Sequence, residues 1–204
     1  MNIRAILFDA DGVLQQRPPG WRSSLGKRLG FSGNPDAFIA EIYTTEPPIL
    51  DGRTDFIELL LALLKRWNCR ASLEEALTVW TMLDVDEELL NLIEDLRQRG
   101  VQCHLASNQE PYKARYMSEV LGYQRRFDNE FYSCHLGYKK PDQRYFLTIL
   151  QELALPPEQI LFIDDRQPNV DSAKTVGLKA ETFDLKSGRG ELHRILRVHG
   201  IPID

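Results

Sequence analysis

Apolar runs that stop on acidic or polar residues alternate along this chain with stretches whose apolar positions recur every three or four residues. Residues 3–8 form a near-continuous apolar run ending at Asp9, the pattern of a strand buried on both faces of a parallel sheet that delivers polar residues into the next loop. Leu89, Leu92, Ile93 and Leu96 repeat at helical spacing up to Gly100, with Asp84 and Glu87 placed as a capping box. A second strand is read over residues 101–106. Pro141 then opens a helix carrying Phe146, Ile149, Leu150 and Leu153, a strand follows over residues 160–163, and a further helix runs from about Pro168 to near Gly177. This alternation predicts an α/β fold, a three-layer Rossmann-like core whose parallel sheet is joined by right-handed crossovers.

Residues 15–84 break that rhythm, because they carry helical patterns and no convincing strand. Their best helix places Phe56, Leu59, Leu60, Leu63, Leu64 and Trp67 on one stripe, after the turn Leu50-Asp51-Gly52-Arg53. The expected organisation is a core of residues 1–14 and 85–204, with a small all-helical cap of residues 15–84 inserted after the first strand and seated over the sheet's carboxyl edge. Leu192, Ile195, Leu196 and Val198 mark a C-terminal amphipathic helix that packs either internally or against a partner subunit.

Composition narrows the function. At 204 residues, with 43% hydrophobic and 27% charged positions, the chain matches one large folded domain carrying an insertion. The 25 basic and 30 acidic residues give a net charge of -5, and no basic run offsets it; nonspecific binding to nucleic acid or to an anionic membrane is therefore not expected. No stretch approaches the roughly 20 apolar residues of a membrane span, and the N-terminal run is too short for a secretory signal. Cys69, Cys103 and Cys134 share no metal-binding spacing and suit a reducing compartment. A cytoplasmic protein is expected, a monomer, with a homodimer as the other assembly.

In open parallel sheets, ligands bind beyond the carboxyl ends of the strands. Four groups of polar residues fall there: Asp9 and Asp11, Ser107 and Asn108, Lys140 ahead of a helix, and Asp164 and Asp165. Four carboxylates converging on one edge repel unless cations sit among them. The donors are hard oxygens, with no histidine or cysteine at matching places, so Mg2+ and a lysine answer the problem, the ion also taking an oxygen from a substrate phosphate. A carboxylate can attack phosphorus, and a second carboxyl group, held protonated, can protonate the leaving oxygen and then activate water. Asp9 and Asp11 have the spacing for those two tasks. The backbone N–H groups of Ala10 and Asp11 can form a nest for phosphate oxygens, with Gly12 permitting the tight turn.

In order, the segments FDADGVL, LASN, KKPD and FIDD resemble the four motifs of the haloacid dehalogenase-like superfamily, and the resemblance covers essentially the whole chain. The DxD form of the first motif looks like that superfamily's phosphatases. The resemblance implies that Asp9 is the nucleophile and a metal ligand, and that Asp11 is the acid/base and ligates metal through its backbone carbonyl. It further implies that Ser107 bonds the transferring phosphoryl group with Asn108 beside it, that Lys140 neutralises the phosphate and Asp9, and that Asp165 binds Mg2+ directly, with Asp164 ligating through water or orienting its neighbour. The insertion between the first two motifs resembles the small helical caps that close over such sites and select the substrate.

Each of these residues also has an ordinary use. Asp-Gly is common turn chemistry, Ser107 suits a helix cap, and a lysine before proline is usually solvated; it is the ordered series that favours catalysis. His104 reads as a core residue, Cys103 and Cys134 as buried thiols, and Tyr43, Trp67 and Trp80 as packing residues of the cap. Arg17, Trp21 and Arg53 suit either a substrate-facing surface or plain solvent. The expected function is a Mg2+-dependent phosphatase acting on a small phosphorylated metabolite of the sugar phosphate, phosphoglycolate or nucleotide type, through an aspartyl-phosphate on Asp9. A phosphosugar mutase on the same core and a non-catalytic interaction protein are the alternatives; Asp11 speaks against a dehalogenase.

Overall fold

The apolar run before Asp9 folds as strand β1 (Ala5–Phe8), buried at every position, because it lies in the middle of a sheet that is covered on both faces. The computed structural model describes residues 2–45, 47–201 and 203. After β1 come β2 (Gln15–Gln16), α1 (Trp21–Leu29), α2 (Pro35–Tyr43), α3 (Phe56–Arg66), α4 (Leu73–Trp80) and β3 (Asp84–Val85). The chain continues through α5 (Glu87–Gln98), β4 (Gln102–Ser107), α6 (Pro111–Arg115), α7 (Tyr123–Arg126), β5 (Asn129–Tyr132) and α8 (Ser133–Leu136). It closes with α9 (Gln143–Leu153), β6 (Ile160–Asp164), α10 (Gln167–Thr175), β7 (Lys179–Thr182) and α11 (Arg189–Val198).

The five-stranded sheet has the order β5-β4-β1-β6-β7, with every pairing parallel. Phe8 is level with Leu105 on one side and Ile163 on the other, which brings Asp9 abreast of Ala106 and Asp164 at the carboxyl edge. Successive side chains point to opposite faces. Ile6, Phe8, Cys103, Leu105, Leu161 and Ile163 join the core under α5 and α11, whereas Ala5, Leu7, Ala106, Ile160 and Phe162 join the one under α9 and α10. Within α11, Leu192, Ile195 and Leu196 pack internally and Val198 is exposed. Among the described residues, no helix is long and apolar enough to cross a membrane.

Helices α1 to α4 enclose a separate aromatic cluster that includes Phe31, Phe38, Trp67 and Trp80. Phe31, Phe38 and Trp67 meet with ring centroids 5.2 to 5.5 Å apart. The starts of α2, α3 and α4 are capped by Asn34, by Asp55 and by a Ser72–Glu75 capping box. The insertion is not purely helical at its root, since β2 and β3 pair antiparallel, Gln15 with Val85 and Gln16 with Asp84. Two residues per strand carry no alternation for a sequence pattern to show.

Other expectations shift by a few residues. Asp84 lies in that ribbon, and the cap of α5 is Asp86, whose carboxylate accepts from Leu89 N at 3.1 Å. Helix α9 begins two residues beyond Pro141, capped by Asp142. Cys103 is buried but Cys134 is only half-buried. Tyr43 is 42% exposed at the rim of the aromatic cluster, its ring 6.2 Å from that of Trp80.

His104 is a core residue as expected, buried against Phe131 with both ring nitrogens lacking partners among the described residues. Burial pushes its pKa down to about 4, from 6.5. The folded chain therefore keeps the ring neutral where the unfolded chain takes up a proton, so stability falls as pH drops from about 6.5 towards 4, by at most about 1.4 kcal/mol per pH unit. His104→Leu should remove that part of the slope; urea midpoints measured between pH 7 and 4 for both proteins check it, and parallel curves would contradict it.

Candidate active site

Asp9 follows β1 directly, and its backbone N–H still bonds to Ile163 O at 2.9 Å, so the strand pairing itself sets where its side chain starts. Lys140 arrives from the loop ahead of α9. Its Nζ lies 3.0 Å from Asp9 Oδ1 and 2.6 Å from Asp164 Oδ2, and donates to Ala106 O at 2.7 Å. The side chain of Asn108 braces this loop from both sides: Nδ2 donates to Lys140 O and Oδ1 accepts from Lys140 N, both at 2.9 Å. The amide expected beside the phosphoryl group is thus spent on placing the lysine.

All three charged groups are buried. Burial pulls the Lys140 ammonium down, but Asp9 and Asp164 together outweigh it and hold it above its ordinary value. Asp9 moves the other way for a carboxylate: burial raises it, Lys140 opposes, Asp164 and Asp11 add to the rise, and it reaches about 7. Asp165 is also raised, first by partial burial and then by Asp164. One ammonium does not neutralise three acids.

Carboxylate oxygens of Asp9, Asp164 and Asp165 all lie within 4.8 Å of one another. This excess negative charge on hard oxygens fits a divalent ion such as Mg2+. Within the pair, Asp164 is saturated: Oδ1 accepts from Arg166 N at 2.8 Å and Asn169 Nδ2 at 2.9 Å, while Oδ2 accepts from Lys140 and again from Asn169 at 3.0 Å. The half-buried Asp165 carboxylate instead packs over Gly12, whose φ is 87° and whose place a Cβ would bring within 2.5 Å of Asp165 Oδ2. Glycine at 12 therefore serves both the turn and the acid above it.

The remaining expected residues are placed as follows. Ser107 ends β4, buried, and its Oγ accepts from Gln109 Nε2 at 3.1 Å. Ala10 N donates to Asp9 Oδ1 at 2.8 Å, orienting that carboxylate in this structure. Asp11 stands apart from the acid cluster: Lys113 Nζ reaches its Oδ2 at 2.6 Å, Gln109 Nε2 the same oxygen at 2.9 Å, and Gln15 Nε2 reaches Oδ1 at 2.8 Å. Burial would raise its pKa, yet Lys113 and the two amides win and hold it well below the usual carboxylate range. The carboxyl group expected to be protonated is an ion-paired carboxylate here. Gln15, Gln109 and Lys113 were not candidates in the sequence; they belong to no motif, and only the fold joins them.

Around the insertion, Trp21 is buried and donates its indole N–H to Val79 O at 2.8 Å. The Arg17 guanidinium lies over Trp21 and Trp80, 4.3 and 5.3 Å from their centroids, and bonds the Trp80 and Met82 carbonyls. Arg53 pairs with Asp51 at 2.6 Å. It also lines a cleft of about 740 Å3 between the insertion and α6, with Phe56, Tyr112, Arg115 and His135; none of the expected catalytic residues lies on that cleft.

The family model for haloacid dehalogenase-like hydrolases matches residues 3–177. The chain belongs to this family. It is 21% identical over 179 residues to the phosphorylated carbohydrates phosphatase of Thermotoga maritima, covering 87% of this chain and 83% of that protein. A shorter match, 38% over 60 residues, is to drimenol cyclase drtB of Aspergillus calidoustus, and takes in 29% of this chain but only 11% of that protein. Among solved structures, a HAD-like hydrolase of Porphyromonas gingivalis superposes with a TM-score of 0.80 at 24% identity, covering 97% of this chain and 99% of its own. A HAD family enzyme of Bacteroides thetaiotaomicron, solved with magnesium and inorganic phosphate, gives 0.75 at 19%, covering 89% and 94%.

Removing the lysine leaves Asp9 and Asp164 facing each other in the interior. Breaking a buried pair in this way costs about 3–5 kcal/mol. Lys140→Met is therefore expected to lose stability of that order at about pH 8.5 without metal, and to lose less at about pH 6, where Asp9, raised to about 7 even beside the lysine, carries a proton in both proteins; urea denaturation at both values measures it.

Proposed function

We propose that this hydrolase is a Mg2+-dependent phosphatase for a small phosphorylated metabolite of the sugar phosphate, phosphoglycolate or nucleotide type, working through a phosphoryl group carried by Asp9. The observation that carries the reading is the buried set of Asp9, Lys140, Asp164 and Asp165 at the sheet's carboxyl edge, with Asp11 two residues from the nucleophile. The phosphatase activity of the Thermotoga relative and the magnesium and phosphate in the Bacteroides structure support it.

In this reading Asp9, held by Lys140 and by Ala10 N, attacks phosphorus as the bond to the leaving oxygen breaks. Asp11, an ion-paired carboxylate in this structure, must take up a proton before it gives one to that oxygen, and it later takes one back from the water that hydrolyses the acyl-phosphate. Lys140, beyond its contact with Asp9, is a compact positive charge available to the phosphoryl oxygens. Ser107, at the end of β4, lies on the same edge and supplies a hydroxyl to them. Mg2+, held by Asp9, Asp165 and the Asp11 carbonyl with Asp164 behind them, would supply charge neutralisation at the phosphoryl group. Residues 15–84 act as the cap that closes over the edge and selects the substrate.

The test is phosphate release from a panel of phosphorylated metabolites with Mg2+ or with EDTA, for the wild type and Asp9→Asn. Release that needs Mg2+ and falls by at least about a thousandfold in Asp9→Asn is expected. Equal release by both proteins would overturn the assignment of the nucleophile, and interconversion of isomers without phosphate release would make the enzyme a mutase.

A further inference from the structure

Three donors from separate segments hold the Asp11 carboxylate, and each is itself fixed. Gln15 is fully buried, its Oε1 accepting the Tyr123 hydroxyl at 2.8 Å. Gln109 takes Ser133 Oγ on its backbone N–H at 3.1 Å. Lys113 is buried on α6, whose N-cap Glu110 accepts from Tyr112 N at 2.6 Å and Lys113 N at 2.8 Å. The same Glu110 accepts the indole N–H of Trp80 at 3.0 Å, so the short helix carrying the lysine is also tied to the insertion.

A buried ammonium is costly to keep unless a partner and good geometry repay its lost hydration. Among the described residues Lys113 has one ion pair, with Asp11, whose own side chain is 45% exposed. An aspartate at the edge of the site needs no buried cation to stay soluble; the lysine therefore does something for the position of that carboxylate. Oδ2 receives the charge-assisted bond and a second donor, while Oδ1 receives only the Gln15 amide. The stronger contacts pin Oδ2 and leave Oδ1 the less engaged oxygen, which fixes which atom is free to exchange a proton with a bound substrate.

We propose that Lys113 is the positioning residue of the Asp11 acid/base, aligning its carboxyl group from the interior of the core without touching the substrate. This rests on the reading of Asp11 given above. Acid catalysis needs the donor within about 3 Å of the oxygen it protonates, and an unpinned aspartate samples several rotamers of which few satisfy that distance.

The test separates alignment from general damage by the leaving group. Departure of phenol from phenyl phosphate needs a proton; departure of 2,4-dinitrophenolate does not. The parameter kcat/KM reports events up to loss of the leaving group, so the ratio of the two esters reads the acid alone. Asp11→Asn should lower kcat/KM for phenyl phosphate by about 100-fold or more, and for the dinitrophenyl ester far less. Lys113→Met also removes the charge that holds Asp11 ionised, which favours the acid, so loss of alignment is read where the ratio still moves in the same direction as in Asp11→Asn by at least about tenfold; the double variant should be no steeper than Asp11→Asn, since the two act as a unit. Where Lys113→Met does not fold, Lys113→Gln is read in its place. A ratio unmoved by substitution of Lys113 while Asp11→Asn shifts it would overturn the positioning role alone. A ratio unmoved by Asp11→Asn would remove the acid/base reading, and the inference with it.

Discussion

One buried ammonium set against more than one buried carboxylate is the constraint on which the rest of this structure turns. Lys140 lies between Asp9 and Asp164 at 3.0 and 2.6 Å, and the interior admits these charges only because each is paired and hydrogen-bonded. The balance is left short by design of the donor set: Asp165 adds a further acid to the same edge, and Asp9 is raised to about 7 by burial first and then by Asp164 and Asp11, against the pull of Lys140. A site that is short of positive charge and built from oxygens is prepared for a divalent ion and for the electron-rich surface of a phosphoryl group.

The fold serves that arrangement through register. Parallel pairing of β1 with β4 and β6 brings three strand ends to one line, and each end delivers a polar residue where the apolar run stops. What does not come from a strand end is braced onto one: Asn108 locks the backbone of Lys140, and Asn169 and Arg166 N saturate Asp164. These contacts leave the side chain of Asp165, over Gly12, as the acid of the pair with oxygens to spare for a ligand.

The central strands and the four motif groups were legible because their signals are local. An apolar run ending on an acid is the same statement in sequence and in structure, and Asp9, Lys140, Asp164 and Asp165 do meet. The edge strands β5 and β7 were not anticipated, since Asn129, Glu130, Lys179 and Glu181 make each half polar and neither run is longer than four residues. The ribbon of β2 and β3 is shorter still. The clamp on Asp11 was invisible for another reason: Gln15 and Lys113 are 98 positions apart and look like ordinary polar residues until the chain brings them to one carboxylate. Asn108 is the opposite case, a motif residue whose place beside Ser107 suggests contact with substrate and whose side-chain amide holds a neighbouring loop.

The most direct test of the account is to look for the phosphoryl group itself. The Asp11→Asn variant, slowed in hydrolysis of the acyl-phosphate, would be mixed with 2,4-dinitrophenyl phosphate and Mg2+, quenched in acid, digested and weighed by mass spectrometry. The account predicts one added phosphoryl group on the peptide containing Asp9, absent when EDTA replaces Mg2+ and absent when Asp9 is also changed to Asn. Dinitrophenol release with that peptide unmodified, or a phosphoryl group on another residue, would contradict it.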